Sequence, residues 1–139
     1  MSISSQAIAE VLLHVARLTN GTAFSEGLNP AQWAALRFLA AAPEGARTLM
    51  GFARYHGTTK GTASQTLGAM KRKALIESAP DRLDARSSQL KLSRKGTELL
   101  AKDPVQGLSS AITGLSSELQ ASLAEALERI AKSIVAMAN

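Results

Sequence analysis

Apolar residues recur at three- and four-residue steps over residues 4–19, where Ile8, Val11, Leu12, Val15 and Leu18 make one stripe. That spacing predicts an amphipathic helix, with Asn20-Gly21 as its stop. Residues 22–28 are small and loop-like. Asn29-Pro30 pairs a capping side chain with the residue best suited to the first helical position, so a second helix is expected to carry Trp33, Leu36, Phe38 and Leu39 and to end before Pro43. A Glu44-Gly45-Ala46 turn follows. Thr48 can cap a short helix through Leu49, Phe52 and Ala53, closed at His56-Gly57 by a glycine suited to a left-handed exit. Thr58-Thr59 opens a fourth helix, residues 60–73, whose apolar positions Ala63, Leu67 and Met70 again step by four and three.

Two helices joined by a short turn containing glycine make a helix-turn-helix pattern, although any helical hairpin shares that spacing. Leu75-Ile76-Glu77-Ser78 and residues 89–93 then switch to the alternation of half-buried strands, with Leu90 and Leu92 on one side and Lys91 on the other. The polar stretch 80–87 between them predicts a β-hairpin. Ser93 caps a helix through Leu99 and Leu100 that Pro104 bends or interrupts. A last helix starts near Ser116, where Ser117 and Gln120 fit a capping box. Its stripe is Leu119, Leu123, Leu127, Ile130, Ile134 and Met137, opposite Glu118, Glu125, Glu128, Arg129 and Lys132.

Charge changes this picture more than composition does. Of the 16 Lys and Arg and 11 Asp and Glu in 139 residues, ten bases but only Glu77, Asp81 and Asp84 among the acids fall between Arg54 and Lys95. That stretch carries +7 and the remainder −2. A basic centre between near-neutral ends points to an anionic polymer as partner, against the plainer reading of a solvated surface. With no cysteine, disulfides and thiolate chemistry are excluded. His14 and His56 are the only histidines and have no metal-ligand spacing, so neither metal nor cofactor is expected. No nucleophile motif surrounds either histidine, and the glycines match neither phosphate-binding nor dinucleotide patterns, so the chain does not read as an enzyme. Residues 2–18 lack a basic start and hold Glu10 and Arg17, unlike a signal peptide. No apolar run approaches the roughly 20 residues that cross a bilayer. A soluble, cytoplasmic, prokaryotic-type protein with no membrane partner is expected.

The stretch from Thr48 to Gly96 resembles the winged helix-turn-helix of the MarR family of bacterial transcription regulators. The resemblance is carried by Gly51-Phe52-Ala53 before the turn, Thr59-Lys60-Gly61-Thr62-Ala63-Ser64-Gln65 at the start of the fourth helix, and Met70-Lys71-Arg72-Lys73-Ala74-Leu75-Ile76 at its end. Asp84-Ala85-Arg86-Ser87 is similar to the family's D-x-R wing, and Leu90, Leu92-Ser93 and Gly96 continue the match. The resemblance implies a mainly α fold with a small β-hairpin wing. A winged helix-turn-helix lobe at 29–103 would be combined with N- and C-terminal helical dimerisation arms at 1–28 and 104–139, all within one domain, 1–139. It implies a homodimeric, sequence-specific regulator, a repressor in the usual case, on a palindromic double-stranded operator. The recognition helix would lie in the major groove and the wing in the minor groove, with release by a small aromatic or phenolic effector. The residues themselves do not separate repression from activation. A winged-helix module that docks an acidic protein instead of an operator is the alternative, and it would need neither Gln65 nor Arg86.

On the outward face of the fourth helix, Gln65 has the geometry to pair with both major-groove atoms of adenine. Thr59, Thr62 and Ser64 can donate to phosphate or base edges, Lys60 suits phosphate, and Gly61 permits close approach to a groove wall. Lys71, Arg72 and Lys73 are phosphate clamps or a solvated helix end whose cations suit the dipole. At the hairpin tip, Arg86 suits a narrow minor groove, with Asp84 two residues earlier to hold it and Arg82 and Lys91 as backbone contacts. His14, Arg17, Trp33 and Phe38 are candidates for an effector cleft, although aromatics at such spacings usually belong to the core. The terminal stripes suit either intramolecular packing or, as the expectation here, a two-fold interface. Several positions depart from the family pattern. Ala74 stands where glycine is common, so a left-handed exit there would be strained and a different turn is expected. His56 and Thr58 replace apolar turn residues, and Gly61 and Gly68 weaken their helix by about 1 kcal/mol each against alanine.

Overall fold

The computed structural model describes residues 2–80 and 88–138. The chain divides into two compact units, Met1–Asp103 and Pro104–Asn139.

The first unit begins with α1, Ser5–Thr22, capped by the Ser4 side chain. No residue of α1 is buried, and Ile8, Val11 and Leu18 of its stripe are more than half exposed. The helix runs through Asn20-Gly21 instead of stopping there. Thr19 and Thr22 return their hydroxyls to carbonyls within the helix, and the Ala23 N–H closes on the Asn20 carbonyl. An Asn-Gly pair turns the chain only where the next residues gain by turning. Here the anchors are the buried Ala23 and Leu28, so the positive-φ turn falls at Glu26 and Gly27, between the bridged residues Ser25 and Leu28.

Helix α2, Pro30–Ala41, starts on the expected Asn29 cap, completed into a reciprocal box by Gln32. It is the centre of the core, with Trp33, Ala35 and Leu36 fully enclosed. Helix α3, Leu49–His56, is capped by Thr48 and ends on left-handed Gly57 at φ 67°. Helix α4, Lys60–Arg72, is capped by Thr59 and buries Ala63, Leu67 and Met70 against α2 and α3. Strands β1, Ile76–Pro80, and β2, Ser88–Leu92, form an antiparallel hairpin with Ile76 opposite Leu92 and Ser78 opposite Leu90. Leu90 is buried and Lys91 exposed, as the alternation requires. Helix α5, Arg94–Leu99, is capped by Ser93 and tightens into a 3-10 turn, Leu100–Lys102, before Asp103-Pro104. Asp103 is buried and accepts from the Arg37 guanidinium of α2 at 2.7 Å.

The second unit holds α6, Val105–Thr113, and α7, Ser117–Ala138. Helix α6 is absent from the sequence reading, where Gly107 and Gly114 obscure its short apolar pattern. Helix α7 is capped by Ser116, whose hydroxyl accepts from the Leu119 N–H. The Gln120 amide bonds the Leu115 carbonyl, so the expected Ser117–Gln120 box does not form. No residue of α7 is buried, and Leu119, Ile134 and Met137 are more than half exposed. The observed class is therefore the expected one, mainly α with a two-stranded wing. No helix among the described residues is long and apolar enough to cross a membrane.

Candidate nucleic-acid interface

The site is built on α4. Its entry is a tight junction: Gly57 takes the left-handed exit of α3, and the Thr58 N–H reaches back to the Ala53 carbonyl. The Thr59 hydroxyl accepts the Thr62 N–H at 3.1 Å and donates to the Thr62 hydroxyl at 3.0 Å, which orders the first turn. His56 takes over the apolar role expected at its position by stacking on Phe52, with centroids 5.3 Å apart and planes at 14°.

With Ala63, Leu67 and Met70 facing the core, α4 turns its other side to solvent. Thr59, Lys60, Gly61, Thr62, Ser64, Gln65, Lys71 and Arg72 are all exposed, so every α4 candidate lies on the accessible surface. Helix α4 contains no acidic residue, and Lys60, Lys71 and Arg72 are its charges. Nothing lies within 4 Å of a Cβ added at Gly61, so the backbone is uncovered there.

The exit from α4 corrects the expectation at Ala74. Ala74 is left-handed after all, at φ 59°. Its N–H bonds the Lys71 carbonyl, and the Leu75 N–H closes on Met70, the double closure usual for a glycine-ended helix. The strain is offset by what surrounds the turn. Leu75 is buried, the Ser93 hydroxyl donates to the Ala74 carbonyl at 2.7 Å, and the Ser93 N–H donates to the Leu75 carbonyl. The three cations at this end also separate. The Lys73 ammonium is drawn back to the Gly27 carbonyl at 2.5 Å, whereas Lys71 and Arg72 remain exposed on α4.

The wing is tied to the α2–α3 connection. The Gln89 side chain accepts from the Gly45 N–H at 3.2 Å and donates to the Gly45 carbonyl at 3.5 Å, and the Leu90 N–H donates to the Arg47 carbonyl. Arg47 in turn holds the Ala42 carbonyl. Sequence reasoning missed this anchor, because its partners lie more than forty residues apart and no local pattern marks them. Lys91 pairs across the strands with Glu77 at 3.6 Å, both well exposed, which is worth under about 1 kcal/mol and leaves the lysine able to exchange partners. Arg82, Asp84 and Arg86 lie outside the described residues.

The effector candidates do not share one environment. Trp33 is fully enclosed, and Phe38 is buried against Phe52 and Tyr55 at centroid distances of 5.8 and 5.1 Å. His14 and Arg17 are exposed on α1. The Trp33 indole nitrogen and the Ser25 hydroxyl are enclosed without a hydrogen-bond partner among the described residues. No cluster of three or more His, Cys, Asp or Glu suited to a metal occurs among the described residues.

Comparison with known proteins agrees with this geometry. No curated protein sequence matches the chain. The MarR family model matches residues 26–87. Among solved structures, PcaV, a transcriptional regulator from Streptomyces coelicolor solved with its natural ligand, is 22% identical with a TM-score of 0.70, covering 96% of this chain and 99% of that one. MepR from S. aureus in its DNA-binding conformation is 19% identical with a TM-score of 0.78, covering 95% of this chain and 99% of that one. A mutant of the same protein bound to an oligodeoxyribonucleotide is 19% identical with a TM-score of 0.58, covering 96% and 99%. The MarR family model thus matches the stretch that holds the helix-turn-helix of this chain, and the likeness to solved transcriptional regulators extends over nearly the whole chain as a likeness of fold.

Proposed function

We propose that this protein is a homodimeric transcriptional regulator that binds a palindromic double-stranded DNA operator in a sequence-specific manner. Residues 29–103 are the DNA-binding lobe, and residues 1–28 and 104–139 the dimerisation region. Helix α4 enters the major groove. Thr59, Lys60, Gly61, Thr62, Ser64, Gln65, Lys71 and Arg72 meet bases and backbone there, while Arg86 serves the minor groove, with Asp84 to hold it and Arg82 as a backbone contact. The observation that carries this reading is the outer face of α4, which is exposed, free of acids and rich in donors suited to phosphate and base edges. The apolar stripes of α1 and α7, uncovered within the chain, support a second copy as the partner that buries them. Two-fold symmetry then calls for two half-sites about one helical turn apart, roughly 34 Å. A small aromatic or phenolic molecule is the proposed effector class, with His14, Arg17, Trp33 and Phe38 as the candidate residues, and the likeness to PcaV, solved with its natural ligand, supports a ligand for this fold.

Fluorescence anisotropy with fragments selected from genomic DNA, repeated from low to high salt, tests the reading. Log affinity should fall steeply and linearly with log salt as phosphate counterions are released. A flat response, or a monomer in sedimentation at micromolar concentration, would count against it. Thermal shift with a panel of aromatic acids tests the effector.

A further inference from the structure

On a helix of 3.6 residues per turn, positions 61, 65, 68 and 72 make one line, directly opposite the buried line of Ala63, Leu67 and Met70. The residues there are Gly61, Gln65, Gly68 and Arg72. Two long side chains with planar hydrogen-bonding ends thus alternate with two residues that have no side chain. A helical side chain leans towards the N-terminus and covers the turn before its own Cα. For Arg72 that turn holds Gly68, and a Cβ added at Gly68 would meet Arg72 Nη1 at 3.5 Å. The guanidinium therefore lies back along the outermost face of α4 instead of extending beyond its carboxyl end. Lys71 sits a little over a quarter turn round the helix, and Lys73 is held by Gly27. Arg72 alone of the three basic residues is aligned with Gln65.

We propose that Gln65 and Arg72 are the two specificity-determining residues of α4: Gln65 reads an adenine through N6 and N7, and Arg72 a guanine through O6 and N7, in the same half-site. Bidentate donors match those base edges, whereas an arginine on phosphate carries no sequence information. Seven residues advance the helix about 10.5 Å, so with a base step of about 3.4 Å the two bases lie within about three pairs of each other. Gly68 between them leaves no side chain to hold the helix off the base edges. This inference rests on the DNA-binding reading above and specifies how it discriminates sequences.

The test selects bound duplexes from a random library with the wild type, then measures the wild type, Gln65→Ala, Arg72→Ala and Arg72→Lys on the selected site and its single-base variants at fixed salt. Circular dichroism confirms each fold. Replacing the guanine should weaken the wild type by about 5- to 150-fold. Arg72→Ala should bind the parent and guanine-replaced sites equally while still discriminating the adenine, and Gln65→Ala should do the converse. Arg72→Lys, which keeps the charge but loses the fork, should also stop discriminating the guanine. If Arg72→Ala instead weakens all sites alike and lowers the salt slope by about one, Arg72 is a phosphate contact and the inference is overturned, with DNA binding intact. If the wild type enriches no sequence, the functional reading itself fails.

Discussion

Replacing glycine by alanine should have opposite signs at two positions in this protein. At Gly68, in the middle of α4, a new Cβ meets only the far end of the flexible Arg72 side chain at an ordinary 3.5 Å. Helix propensity then decides, and Gly68→Ala should stabilise the fold by about 0.5–1 kcal/mol. At Gly96, in the first turn of α5, the same Cβ would run into the backbone carbonyl oxygen of Leu75, with Leu36 Cδ2 at 3.6 Å beside it. Leu75 cannot withdraw freely. Its carbonyl accepts the Ser93 N–H, and the Ser93 hydroxyl accepts the Gly96 N–H while donating to the Ala74 carbonyl. Moving α5 outwards gives up one or two of these bonds at about 1 kcal/mol each, in addition to an overpacking cost of about 1–3 kcal/mol. Against a propensity gain of about 1 kcal/mol, Gly96→Ala should lose about 1–4 kcal/mol. Urea unfolding followed by far-ultraviolet circular dichroism, at one protein concentration and with unchanged slope, measures both. A Gly96→Ala protein as stable as the parent would refute the close approach of α5 to the turn after α4.

Ala74→Gly should relieve about 1 kcal/mol of left-handed strain and lose about half of that to the freer unfolded chain, so a thermal melt should rise slightly; a fall would show that the surroundings need the methyl group. Arg37→Ala removes the guanidinium that pairs with the buried Asp103 carboxylate and, with the arginine one-third exposed, should cost about 1–3 kcal/mol in urea, with partial recovery on adding Asp103→Asn. Arg86→Ala should weaken operator binding by about 1–3 kcal/mol in anisotropy at fixed salt, and unchanged affinity with an intact fold would remove Arg86 from the interface.

The elements of this fold are announced by local chemistry. Asn29-Pro30, Thr48, Thr59 and Ser93 cap the helices that follow them, and Gly57 closes α3, because a cap depends only on residues within one turn. The inward set of α4 follows from the step of Ala63, Leu67 and Met70, and the exposure of the α4 candidates is its geometric complement. Where local signals compete, tertiary packing chose. Asn20-Gly21 is a good stop, yet burial of Ala23 and Leu28 moves the turn to Glu26-Gly27.

Periodicity and caps were therefore enough to determine the helix-turn-helix, the paired strands and the exposed face of α4 that is proposed to meet an anionic partner, since each depends on neighbours in the chain. Only the tertiary structure decided that Ala74 turns left-handed, that Lys73 is drawn to Gly27 while Arg72 lies over Gly68, that Gln89 ties the wing to Gly45, and that Asp103 is buried beneath Arg37. Apart from the local pairing of Arg72 with Gly68, these contacts join or depend on groups distant in the sequence. Their energies favour one arrangement only after the core has brought those groups together.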